Sequence, residues 1–204
     1  MPDLKAELIG LFLETKSFKH NPVKKFKLSS GIDSEFYVDC KALMSHPRAF
    51  GLVAQLAFDK IKDLRFDCIG GLEIGAISIA TVISEYGHRK ALQNWPTFVV
   101  RKEKKEHGLG NKIEGYRAAR GDFEQPRGHK ALIVDDVLTS GGSVLKAVGA
   151  AREAGLTVDY ALVIVDREEQ QGRDRIEKEG VKLLSLLTIK DFQPIRNLSP
   201  VFTS

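Results

Sequence analysis

Short, continuously apolar runs separated by helical patterns constrain this chain more than any other feature. Phe66-Asp67-Cys68-Ile69 runs into Gly70-Gly71, and a helical stretch follows from about Gly75 to Tyr86. Thr97-Phe98-Val99-Val100 comes next. Ala131-Leu132-Ile133-Val134 precedes a helix from Ser143 to Ala154, and Tyr160-Ala161-Leu162-Val163-Ile164-Val165 completes the series. A strand that is apolar on both of its faces must be covered on both. Alternation of such strands with helices predicts an α/β fold, a central, mostly parallel sheet flanked by helices. With 204 residues, the chain favours one domain, residues 1–204, and can bury a single large core.

The N-terminal quarter has a different rhythm. Leu4, Leu8, Leu11 and Phe12 recur at helical spacing over residues 3–15, with Asp3 placed to cap the start. Phe26-Lys27-Leu28 and Glu35-Phe36-Tyr37-Val38-Asp39 are short strand candidates expected to pair as a hairpin, so residues 1–45 read as a small hood. Pro47 opens a helix to about Lys62 that places Phe50, Val53, Leu56 and Ala57 on one face. Between Lys102 and Gly128 no periodicity is visible, and Gly108, Gly110, Gly115, Gly121, Pro126 and Gly128 are scattered among many charges. A stretch of this length is either a functional lid or a solvated insertion, and charges that begin directly after a core strand favour the lid.

Bulk composition excludes several classes. Charged residues make up 28% with both signs mixed, and the net charge is only +4. That mild excess suits a phosphate-rich small ligand, and no helix-turn-helix extension or basic helix points to nucleic acid. No segment approaches the ~18 continuous apolar residues that a membrane span needs. Cys40 and Cys68 are far apart in sequence, which predicts free thiols in a reducing cytoplasm. The first residues carry charges where a secretion signal needs an apolar run.

The sharpest local signal is Ala131-Leu132-Ile133-Val134-Asp135-Asp136-Val137-Leu138-Thr139-Ser140-Gly141-Gly142-Ser143. It reads as a strand, an acidic doublet, a small polar turn and a helix. In open α/β sheets the C-terminal end of such a strand opens on the ligand crevice. The turn places backbone N–H groups at a helix N-terminus, where unpaired donors and the helix dipole attract phosphate. A carboxylate doublet beside a phosphate cradle calls for intermediaries, and sugar hydroxyls and magnesium are the natural ones. A lone doublet could merely cap a helix, but the doublet, Thr-Ser-Gly-Gly and helix together are far more specific. Neither the Gly-Lys-Ser/Thr of a Walker loop nor a Gly-x-Gly-x-x-Gly dinucleotide fingerprint accompanies the segment.

This segment resembles the signature of the type I phosphoribosyltransferases. The resemblance implies that fold, with a small N-terminal hood and a long flexible catalytic loop at about 102–128. It implies ribose contacts from Asp135 and Asp136. Contacts to 5-phosphoribosyl 1-diphosphate are implied along Val137, Leu138, Thr139, Ser140, Gly141, Gly142 and Ser143.

A second segment narrows the family. In Arg101-Lys102-Glu103-Lys104-Lys105-Glu106-His107-Gly108, cations leave the end of a core strand, where they could stabilise a departing diphosphate. The pattern is similar to the catalytic loop of orotate phosphoribosyltransferases. The resemblance implies diphosphate contacts from Arg101, Lys102, Lys105 and His107, with Lys102 catalytic and reaching into a partner's site in a homodimer with shared active sites. Phe26 to Gly31 with Ser34 and Tyr37 resembles that family's hood, which sets Tyr37 and Val38 against the pyrimidine. Gly70 to Ala76 resembles its diphosphate-binding loop. Val165-Asp166-Arg167 resembles the segment whose arginine meets orotate, with Thr139 beside it; a guanidinium can clasp a carboxylate bidentately, although Glu168 and Glu169 offer Arg167 a salt bridge instead. The implied activity is transfer of phosphoribosyl to orotate in pyrimidine biosynthesis, with Mg²⁺ held mainly by substrate oxygens near Asp135 and Asp136. Many members carry lysine where this chain has Ser29, and another in the diphosphate loop, where residues 70–76 have none. Diphosphate neutralisation is therefore expected to fall on the lid and the metal.

Overall fold

The computed structural model describes residues 3–27, 31, 33–102, 112–115 and 128–193. Helix α1 (Leu4–Glu14) starts as expected, because the Asp3 carboxylate accepts the Lys5 and Ala6 amides, and it buries Leu8, Leu11 and Phe12. Four short strands follow: β1 (Phe18–His20), β2 (Phe26–Lys27), β3 (Asp33–Ser34) and β4 (Phe36–Val38). The expected hairpin is corrected here. Strand β2 pairs with β3, while β4, the second strand of the sequence reading, pairs with β1. Aromatic packing accounts for that choice. Phe18 on β1 stacks between Phe36 of β4 and Phe192 near the far end of the described chain, at ring distances of 6.1 and 4.3 Å.

A short helix, α2 (Cys40–Leu43), is capped by Asp39 and was not anticipated. Helix α3 (Pro47–Ile61) begins at Pro47 as expected and buries Ala49, Val53, Ala54, Ala57, Phe58 and Ile61. Phe50, placed on the buried face by spacing alone, is 39% exposed.

The sheet is built by β5 (Cys68–Leu72), β6 (Thr97–Val100), β7 (Ile113–Glu114), β8 (Lys130–Leu138), β9 (Thr157–Asp166) and β10 (Lys182–Thr188). Their spatial order is β10-β9-β8-β5-β6-β7, parallel throughout except for β7, which runs antiparallel on β6. Helix α4 (Gly75–Ala91) joins β5 to β6 and outlasts the anticipated end at Tyr86 by five residues. Helices α5 (Gly142–Glu153) and α6 (Gly172–Lys178) connect β8, β9 and β10.

Alternation along β8 serves two cores. Leu132 and Val134 join the layer containing α1, α3 and α4, while Ala131 and Ile133 join the layer containing α5 and α6. Strand β8 extends four residues beyond the apolar run and carries Asp135, Asp136, Val137 and Leu138 within the strand. Pairing with β9 explains this, since Asp135 lies opposite Val163 and Val137 opposite Val165. Part of the expected lid is sheet edge: β7 lies within 102–128, and Lys112 pairs with Glu153 of α5 at 3.1 Å. The rest of that lid, 103–111 and 116–127, lies outside the described residues.

Candidate active site

The chain leaves β5 toward β6 on one side and reaches β8, β9 and β10 on the other, so strand order reverses between β5 and β8. In an open parallel sheet the crevice at the C-terminal edge of that reversal is where ligands bind. A cleft of about 520 Å³ opens there, lined by residues from the hood, the β5–α4 turn and the ends of β6, β8 and β9. The sequence reading's Tyr37, Val38, Lys102, Asp135, Asp136, Val137, Thr139, Ser143 and Arg167 all line it.

The acidic pair forms the floor. Asp135 Oδ1 accepts the Asp136 amide at 2.9 Å, and Asp136 Oδ1 accepts the Val137 amide at 2.8 Å. Asp135 is only 6% exposed. Burial, reinforced by the neighbouring Asp136 charge, pushes its carboxyl from 3.8 up to about 7. The β5–α4 turn presses against the pair. A Cβ on Gly75 would stand 2.9 Å from Asp136 Cγ and 3.1 Å from Asp135 Oδ1, so only glycine permits that approach. The preceding Glu73–Ile74 peptide is cis.

The phosphate-type turn follows directly. Gly141 sits in the left-handed region at φ +77°, and no side chain caps α5. The helix therefore presents amide donors at its N-terminus without an internal acceptor, as an anion site requires. Helix α6 braces the turn from behind. Arg175 donates to the Ser140 carbonyl at 2.7 Å, and Gly172 packs so tightly on Thr139 that a side chain there would overlap the Thr139 carbonyl. Leu138 is a core residue at 1% exposure, and Ser140, Gly141 and Gly142 shape the turn without lining the cleft.

Arg167 is 3% exposed and ties the hood to β9. Its Nε donates to Glu169 Oε2 at 3.0 Å, and its Nη2 donates to Ser34 Oγ at 2.7 Å and to the Phe36 carbonyl at 2.9 Å. The salt bridge with Glu169 that the sequence left open is thus present. It occupies the Nε edge and leaves Nη1 without a partner among the described residues. Arg101 is drawn away from the cleft to Glu114 of β7 at 3.2 Å. The Lys102 amide donates to Glu73 Oε1 at 2.8 Å, which fixes the point where the chain leaves β6. Lys105 and His107 lie outside the described residues.

Six cleft residues carried no individual role in the sequence reading: Lys27, Lys41, Leu72, Glu73, Ile74 and Gly75. Lys41 donates to Asp136 Oδ2 at 2.7 Å across 95 positions of chain, so spacing alone gave no sign of it. Among the described residues no group of three or more His, Cys, Asp and Glu converges to cage a metal. Two adjacent carboxylates fit a divalent ion whose other ligands come from a substrate.

The phosphoribosyl transferase domain model matches residues 39–193. The chain is 40% identical to orotate phosphoribosyltransferase of Pyrococcus furiosus over 190 residues, covering 92% of this chain and 94% of the relative. The chain belongs to the orotate phosphoribosyltransferase family. The same enzyme of Methanocaldococcus jannaschii is 38% identical over 94% of this chain and 98% of its own length. Among solved structures, Mycobacterium tuberculosis orotate phosphoribosyltransferase in complex with 5-phospho-alpha-D-ribosyl 1-diphosphate superposes with a TM-score of 0.71. It is 30% identical and covers 93% of this chain and 98% of that one. No described helix is long and apolar enough to cross a membrane.

Proposed function

We propose that the chain transfers the phosphoribosyl group of 5-phosphoribosyl 1-diphosphate to orotate, giving orotidine 5-monophosphate and diphosphate. The observation that carries this reading is the acidic pair at the end of β8, set one short turn before the uncapped N-terminus of α5. Carboxylates suit ribose hydroxyls, and the helix N-terminus suits the 5-phosphate.

In this reading Asp135 and Asp136 hold the ribose, and Thr139 and Ser143, at the two ends of the turn that Ser140, Gly141 and Gly142 shape, hold its phosphate. Tyr37 and Val38 cover the pyrimidine. Thr139 and the open Nη1 of Arg167 orient orotate, and the Glu169 pair leaves this contact end-on rather than bidentate. Orotate nitrogen bonds to the anomeric carbon as the bond to diphosphate breaks, and Lys102, with Lys105 and His107, stabilises the charge gathering on the departing oxygens. Mg²⁺ bound through substrate oxygens would neutralise part of the diphosphate charge. Holding both reactants in line supplies much of the rate gain.

We read the working form as a homodimer with shared sites, in the cytoplasm. Ile74, which lines the cleft at 68% exposure, and Ile77, 42% exposed on α4, support a partner surface beside the site. Mixing Lys102→Ala with Asp136→Asn chains should restore activity that neither has alone; no recovery would count against shared sites. The test of the reaction itself is loss of orotate absorbance that requires both the sugar diphosphate and magnesium. A folded protein that leaves orotate unchanged would remove the orotate assignment.

A further inference from the structure

The cleft holds two carboxylates, yet the substrate it is read to take is an anion with its densest charge on the diphosphate. The turn from β5 into α4, residues 70–76, brings no lysine to that end of the cleft; it brings Glu73. Cations among the described lining residues are Lys27, Lys41, Lys102 and Arg167. Glu169, Ser34 and the Phe36 carbonyl already engage Arg167. Lys27 lies on the two-residue strand β2, and Lys102 lies where β6 gives way to the next loop. Lys41 alone in this set has its ammonium against the acidic pair, 2.7 Å from Asp136 Oδ2.

Its placement is fixed from below and free above. Asp39 caps α2 by accepting the Ala42 amide at 3.0 Å, and Cys40 and Leu43 anchor the helix in the core. Lys41, between them, stands on the opposite side and keeps its side chain 64% exposed, whereas Asp136 is 14% exposed. Lys41 also borders a smaller cavity of about 220 Å³ shared with Ile74, Gly75, Ser78 and Asp136, which places it directly beside the lysine-free turn. Burial works against its charge, but the hydrogen bond and charge of Asp136, with Asp135 and Asp39, outweigh burial and raise its pKa. The group is an ammonium throughout the neutral range, on a long stem with room to move.

We propose that Lys41 is an exchange cation. In the empty cleft it neutralises Asp136. When ribose hydroxyls take up the Asp136 oxygens, its ammonium turns to the diphosphate lying over the Glu73–Gly75 turn and supplies the positive charge that residues 70–76 lack. The exchange keeps the carboxylate pair from standing bare before substrate arrives and keeps the diphosphate from standing bare afterwards. Lys41 thereby takes a share of the duty that the sequence alone would leave to the lid and the metal. This inference rests on the phosphoribosyl transfer reading above, and its test uses binding, so that the two can fail separately.

The probe is inorganic diphosphate with magnesium, titrated calorimetrically into the full-length protein. Lys41→Met, which keeps the stem and removes the charge, should weaken diphosphate binding about 10- to 100-fold, the scale of one charge-assisted hydrogen bond. Lys41→Arg should restore most of it. The decisive arm repeats Lys41→Met in an Asp136→Asn background, where a direct contact still costs affinity and a contact acting only through Asp136 costs nothing. Equal diphosphate affinity with and without Lys41 would overturn the proposal. Loss confined to chains that retain Asp136 would reduce Lys41 to a positioning residue and overturn it too, as would failure of the unmodified protein to bind the probe. Should Lys41→Met not fold, Lys41→Gln is read by the same criteria. A protein that binds diphosphate through Lys41 but does not consume orotate would sink the orotate reading and leave this one standing.

Discussion

Replacing Asp135 by Asn should convert a pH-dependent liability into a pH-independent one. Asp135 is held at 6% exposure beside Asp136, and its carboxyl is raised from 3.8 to about 7, first by burial and then by the Asp136 charge. The sign follows from proton counting. Below about pH 4 the folded and unfolded chains both hold the proton, and the site costs nothing through titration. Between about pH 4 and 7 the unfolded chain releases the proton while the folded chain keeps it, so stability falls as pH rises. Above about 7 the full cost of a buried charge is present. A rise from 3.8 to about 7 corresponds to roughly 4 kcal/mol, an upper figure because Asp136 shares the charge and Lys41 offsets part of it.

Asn keeps the acceptor for the Asp136 amide, which Asp135 Oδ1 now receives at 2.9 Å. Its amide nitrogen adds a donor that needs a partner, but that cost is the same at every pH. The informative quantity is therefore the slope of the stability difference rather than its value at one pH. Urea unfolding at pH 4.5 and 7.5 should show the variant gaining roughly 2–4 kcal/mol on the unmodified protein across the interval. For a chain of this length that is a relative Tm gain of roughly 5–15 °C. Asp136→Asn should flatten the same slope in part, because the second cause of the shift is then absent. Parallel curves for Asp135→Asn and the unmodified protein across that range would refute the reasoning.

Three further changes test other parts of the site. Lys102→Ala should lower turnover about 100- to 1,000-fold with orotate binding little changed; near-normal turnover in a steady-state assay would remove Lys102 from the chemistry. Gly172→Ala must displace the Thr139 carbonyl that Gly172 now packs against. The expected outcome is a loss of about 1–3 kcal/mol in urea unfolding together with a raised KM for the sugar diphosphate, and an unchanged KM would show that the turn tolerates the shift. Glu169→Gln leaves the buried Arg167 with a neutral partner and should cost about 2–3 kcal/mol. Because Ser34 Oγ also donates to Glu169, at 2.9 Å, protease cleavage in the hood should accelerate, and identical digestion rates would mean that the strap does not hold the hood.

Strands β5, β6, β8 and β9 were legible because each carries a short apolar run, a pattern that burial on both faces explains, whereas β7 and β10 had not been read as strands. The strand ends were less legible. The apolar run stops at Val134, and it is the pairing of Asp135 with Val163 and of Val137 with Val165 of β9 that carries the strand on through the acidic doublet. The hood was harder, since strands of two or three residues carry too little pattern to fix a partner. Its pairing depends on Phe18 meeting Phe192, a contact that joins the two ends of the described chain. Within the site the contiguous parts were legible, namely the acidic pair and the turn that follows it. The parts assembled across the fold were not. Lys41 meets Asp136 over 95 positions, and Arg167 meets Ser34 over 133.

These two long-range contacts share a logic that neither local motif contains. Each joins the hood segment to the C-terminal edge of the sheet through a cation: Lys41 by its ion pair with Asp136, and Arg167 by hydrogen bonds to Ser34 Oγ and the Phe36 carbonyl while Glu169 holds the same guanidinium. They differ in exposure. The Arg167 side chain is 2% exposed and its bonds to Ser34 and Phe36 are fixed, so they act as a strap, and breaking them costs fold. The Lys41 side chain is 64% exposed and can leave its partner at little cost, because a solvated ion pair contributes little to stability. The same chemistry therefore does opposite work at the two places. The buried Arg167 guanidinium holds Ser34 and Phe36 of the hood beside the end of β9, and the exposed pair can exchange partners because that placement is already set.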